Sequence, residues 1–140
     1  MTSEGIHQPA RWPVALGLVV AAAAHIPVIP EHLHEAPYMG VAFIAFSCAT
    51  ATLAVVTATR PRPATFGLAG VVCGAAVIAY VLTRLIAFPE LGDDVGNWSE
   101  PLGLVSITTE ALVVMLSTLA VLRGSGPRLR WRAQLASSRS

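Results

Sequence analysis

FGLAGVVCGAAVIAYVLTRLIAF, residues 66–88, decides how this chain folds: it is 23 residues long, holds one charge, Arg84, and contains no proline. About 20 apolar residues in helical form span the ~30 Å hydrocarbon core of a bilayer. Lipid offers the backbone no hydrogen bonds, so a helix, which satisfies its own N–H and C=O groups, is the expected form. Working outward, apolar runs of similar character occupy 13–29, 39–59 and 102–122. Proline marks the boundaries at Pro13, Pro30, Pro61, Pro63, Pro89 and Pro101, because it is tolerated at a helix start and breaks a helix interior. The linkers EHLHEAPY (31–38), RPRPAT (60–65) and PELGDDVGNWSEP (89–101) are short. The reading is an all-α integral membrane four-helix bundle of two antiparallel helical hairpins, in a single domain 1–140 with an Arg-rich tail at 123–140.

Composition agrees. The 140 residues are 54% hydrophobic and 12% charged, with net charge +1 and mean hydropathy +0.65. A soluble domain carries about 25% charge, so a water-soluble enzyme, a disordered chain and a basic nucleic-acid binder are all excluded. The basic residues are arginines throughout, and eight of the nine (Arg11, Arg60, Arg62, Arg123, Arg128, Arg130, Arg132 and Arg139) fall on one side of the membrane in this scheme. Positive charge gathers in short cytoplasmic loops, which predicts both termini in the cytoplasm and a multi-pass protein of the bacterial plasma membrane. Trp12 and Trp131 on the inner side, with Tyr38 and Trp98 on the outer, suit interfacial aromatic belts. A rival reading takes residues 1–24 as a cleaved signal peptide. Three spans would then remain, and His25 would be a copper-chelating N-terminus.

Charge inside a span is expensive unless paired or hydrated, which singles out Arg84 and Glu110. They are expected to form an intramembrane pair joining the third and fourth helices. Glu110 alternatively serves a proton or ion pathway. Gly67, Gly70 and Gly74 form a small-residue stripe for close helix packing against the second or fourth helix, or against another copy. Cys48 and Cys73 lie in apolar runs and read as small fillers.

The chemistry-bearing residues gather on the Arg-free side. His25, His32, His34 and Glu35 offer imidazole and carboxylate, ligands suited to zinc, copper or iron, at spacings that match no specific metal signature. The alternative is a polar interfacial turn that binds nothing. The second outer loop is acidic, with Glu90, Asp93, Asp94 and Glu100. The two hairpins share a faint pattern, HIPVIPEH…EAPYMG and RLIAFPEL…SEPLG, which would be a parallel internal repeat or a convergence of Pro and Gly at helix ends.

TRLIAFPELGDDVGNWSEPLGLVSITTEALVV (83–114) and, less clearly, EHLHEAPYMGVAF (31–43) resemble uncharacterised small four-span integral membrane proteins of high-GC bacteria. The resemblance implies membrane location and a helical bundle, and carries no activity, cofactor or catalytic residue. With no phosphate loop, nucleophile elbow or catalytic triad spacing in the chain, the expected role is a non-enzymatic accessory or sensing subunit. It would be embedded in the lipid bilayer as a homo-oligomer or part of a larger membrane complex, with no nucleic-acid partner. Metal handling and a small proton-coupled transporter using Glu110 are the alternatives.

Overall fold

The computed structural model describes the backbone of residues 4–137 and the side chains of residues 9–123. All regular secondary structure among the described residues is helical: α1 Glu4–His25, α2 Ile29–Glu35, α3 Pro37–Thr59, α4 Pro63–Leu85 and α5 Pro101–Ser137, with single 3-10 turns at Ile26–Val28 and Gly92–Asp94. Four segments are long and apolar enough to cross a membrane: Pro9–Glu35, Pro37–Thr59, Pro63–Leu85 and Pro101–Arg123. Only 17–28% of each apolar window is buried inside the protein. Large side chains such as Leu16, Val55, Leu68, Val71 and Ile78 point outward. A water-soluble bundle would hide such a surface; in lipid it is the expected exterior.

Several boundaries differ from the sequence expectation: α1 begins at Glu4, so Pro13 lies inside it rather than at its start, and α5 continues past residue 122 to Ser137. EHLHEAPY is a helix broken at one residue rather than a loop. Pro30 opens α2, and Ala36, held at φ −138° and ψ 79° ahead of Pro37, separates α2 from α3. A residue preceding proline is pushed out of the helical region, which accounts for the break. The third span is shifted toward the N-terminus, running from Pro63 rather than Phe66 and ending at Leu85 rather than Phe88. Its start is capped by Thr65, whose Oγ1 accepts the Arg62 N–H at 3.0 Å. At its end the Gly96 N–H returns to the Arg84 carbonyl at 3.0 Å, so residues 86–100 fold back over the helix terminus.

Packing is uneven around the bundle. α1 lies along both α3 and α5, and α5 lies along α4, whereas α3 and α4, consecutive in sequence, touch only slightly. The packed core joins Val14 and Leu18 of α1, Leu53 and Ala54 of α3, Phe66, Ala69 and Cys73 of α4, and Val113 and Ala120 of α5. These positions lie toward the end of the bundle that carries Arg11, Arg60, Arg62 and Arg123, so the helices close together there and part toward the acidic end. Of the expected stripe, Gly70 faces Ser117 and Gly74 faces Val114 of α5 at ordinary contact distances, while Gly67 faces open space. The tightest approaches are at glycines outside that stripe. A Cβ on Gly17 would sit 2.6 Å from Val113, and one on Gly103 would sit 2.7 Å from the Tyr80 ring.

Candidate functional site

The parting of α3 from α4 leaves a cleft of about 450 Å³ in the acidic half of the bundle. Its walls are Phe43 and Phe46 from α3 and Ala76, Ala79 and Tyr80 from α4. His25 comes from the end of α1, His32 from α2, and Ser106 and Glu110 from α5. Arg84, Asp94 and Glu100 line it as well.

Each charged residue arrives by a local rule. α1 ends at His25 because Pro27 and Pro30 interrupt its hydrogen-bond ladder. His25 Nδ1 donates to the Ala21 carbonyl at 2.9 Å, which leaves Nε2 facing Glu110 Oε1 at 4.0 Å. That bond places the neutral ring's proton on Nδ1 and leaves Nε2 as the acceptor. The His25 ring is itself seated against Phe43 and Phe46, at centroid separations of 5.0 and 4.7 Å. Glu110 is 1% exposed. It is nine residues into α5, which at 1.5 Å per residue places it about 13 Å along the helix. Ser106, one turn earlier, donates its hydroxyl to Glu110 Oε1 at 2.7 Å.

Arg84 occupies the last turn of α4, where a cation is favoured by the helix dipole, and is 5% exposed. Its Nη1 donates to the Asp94 carboxylate and, at 3.2 Å, to the Asp94 carbonyl; Nη2 donates to Glu100 Oε2 at 2.8 Å. The guanidinium carbon lies 4.7 Å from the centre of the Tyr80 ring. The Tyr80 hydroxyl and Arg84 Nε are left buried without a well-aligned hydrogen bond.

The expected Arg84–Glu110 pair is therefore corrected: the two share one cleft but take different partners. Arg84 is claimed by the folded-back loop, and Glu110 lies deeper, on the His25 side. The acidic loop divides in the same way. Asp94 and Glu100 clasp Arg84, while Glu90 and Asp93 are exposed. Of the four expected metal ligands, His25 and His32 reach the cleft, and His34 and Glu35 are exposed on α2 away from its lining. His32 also uses Nδ1 on the Val28 carbonyl, at 2.9 Å. Among the described residues no group of three or more His, Cys, Asp or Glu side chains is arranged to hold a metal ion. Cys73 is buried and Cys48 exposed, both as free thiols.

Sequence reasoning missed Ser106 and gave Tyr38 a place in the outer aromatic belt without its partner. Ser106 was findable from its position four residues before a buried Glu, the spacing that faces two side chains on one helix surface. Tyr38, which donates to the Pro89 carbonyl at 2.7 Å across the rim of the cleft, had no such signal. No protein-family model, curated protein or solved structure matches this chain. The functional reading rests on the geometry.

Proposed function

We propose that this chain is a non-enzymatic bacterial plasma-membrane protein that binds a small ligand in the cleft between α3 and α4, acting as a sensing or accessory subunit. The observation that carries the reading is the cleft itself. Two nearly fully buried charged side chains, Arg84 and Glu110, line a cavity of about 450 Å³ at membrane depth. Charges there are expensive and mark functional sites, and the size falls within the ~300–1,000 Å³ usual for small-molecule pockets. Two antiparallel hairpins with both termini on the Arg-rich, cytoplasmic side complete the proposal. The contact ladder supports the hairpins: Ser47 donates to the Ala22 carbonyl and Gly40 meets Leu33 in the first, and Gly70 meets Ser117 and Gly103 meets Tyr80 in the second. The orientation is supported by the Arg distribution, and it opens the cleft toward the outer face.

Glu110 beside His25 also suits a proton-coupled carrier. Transport needs access from both sides, and the core around Leu18, Phe66 and Val113 fills the Arg-rich half, so binding is the reading this conformation favours. The test uses protein in lipid nanodiscs with Trp12→Phe and Trp131→Phe, leaving Trp98, which stacks edge-on against Tyr80 at 6.4 Å, as the fluorescent reporter. Three probes of similar size are titrated: benzyltrimethylammonium, neutral neopentylbenzene and anionic phenylacetate. Saturable binding of at least one, lost in Ala79→Phe, supports the reading. No saturable binding of any of the three overturns it.

A further inference from the structure

We infer that the cleft selects a hydrophobic organic cation. The inference rests on the ligand-binding reading and adds the chemical class of the ligand. The first argument is the charge balance around the cavity. Arg84 is matched by two carboxylates, Asp94 and Glu100, which leaves that end of the cleft with an excess of one negative charge. Glu110 adds a third carboxyl group deeper in, and the imidazole facing it, His25 Nε2, stands 4.0 Å away, at the outer limit of an ion pair and without a hydrogen bond. Ser106 occupies one Glu110 oxygen and brings no charge. An anion entering the cleft would meet Asp94, Glu100 and Glu110 together. A cation meets them with Arg84 already neutralised.

The second argument is the wall chemistry. Phe43, Phe46 and Tyr80 line the same space, and the face of an aromatic ring attracts a cation held within about 6 Å of its centre. On α4, Ala76 and Ala79 give the stretch of wall between Val72 and Tyr80 small apolar side chains. This lining suits a large, weakly hydrated cation with apolar substituents, and a small hydrated metal ion poorly: no group of three ligating side chains stands ready among the described residues.

The same three probes separate the outcomes, because benzyltrimethylammonium and neopentylbenzene share a shape and differ in charge. In the otherwise native protein the cation should bind about tenfold or more tighter than its neutral counterpart, and phenylacetate should be weakest. Glu110→Gln, which keeps a hydrogen-bond partner for Ser106, should narrow the cation's advantage over the neutral probe severalfold, and a ratio that it leaves unchanged would overturn the inference. Equal affinity for cation and neutral probe, or tighter binding of phenylacetate, overturns the inference and leaves the ligand-binding reading standing. Absence of saturable binding by every probe overturns both. The comparison among probes needs no Glu110 variant, so it decides the matter even if Glu110→Gln does not fold.

Discussion

The two halves of this bundle are built from the same four spans and have opposite characters. Toward the Arg-rich end, Phe66 and Ala69 of α4 pack with Val14, Leu18, Leu53 and Val113 into a core from which water is excluded. Toward the acidic end the same α4 turns Ala79, Tyr80 and Arg84 into a cleft. In lipid there is no hydrophobic force to close a gap between helices, and association depends on side-chain packing and polar contacts. One half can therefore be tightly packed while the other stays parted, provided polar contacts hold the parted ends. Here the loop clasp on Arg84 and the Tyr38 bond to Pro89 do so.

If that contrast is right, truncation at the packed end should be the most damaging change. Phe66→Ala is expected to lower stability by about 4 kcal/mol, and Phe43→Ala, in the cleft wall, by about 1 kcal/mol, both measured by unfolding in mixed micelles with a denaturing detergent. Next in size is the clasp. Asp94→Asn combined with Glu100→Gln strands a buried guanidinium and should remove about 3 kcal/mol. Arg84→Met should cost about 1 kcal/mol, because Asp94 and Glu100 are 24% and 34% exposed and can hydrate when released. A smaller and sharper test adds bulk to two alanines on one helix. Ala69→Leu overpacks the core at about 2 kcal/mol, and Ala79→Leu should leave thermal stability nearly unchanged while reducing probe binding. The least effect is expected from Tyr38→Phe, about 0.5–1 kcal/mol for one hydrogen bond. It should also raise backbone hydrogen exchange around Pro89 and leave the core unaffected.

The four spans were legible because hydropathy over some 20 residues is a property of each segment alone. The arrangement of charge was not. Arg84 and Glu110 stand out in the sequence for being in a span, yet the partners of Arg84 depend on a loop that turns back through two left-handed residues, Glu90 at φ 64° and Gly96 at φ 79°. Nothing in the spacing of Arg84, Asp94 and Glu100 announces that turn. The short helix α2 was hidden for a related reason: EHLHEAPY is polar enough to read as a linker, and its helical state follows from the prolines at positions 30 and 37 that start one helix and then the next. The cleft itself depends on which helices are neighbours. The order around the bundle, with α1 touching α3 and α5 while α3 barely meets α4, is not encoded in any one segment's periodicity. Likewise the close approaches fell on Gly17, Gly40 and Gly103 rather than on the conspicuous Gly67, Gly70 and Gly74.

The central claim, a cleft reaching to membrane depth beside a closed core, is tested most directly by water access along α4. In a Cys48→Ser, Cys73→Ala background, single cysteines replace Ala79 in the cleft, Ile78 on the outward face and Ala69 in the core. Each is then treated in intact vesicles with a charged, membrane-impermeant thiol reagent, which reacts only where water reaches the thiolate. The account predicts rapid modification at position 79 and far slower modification at 78 and 69. A residue 79 as unreactive as residue 78 would contradict it, because the cleft would then be filled by lipid and no water-borne ligand could reach Glu110.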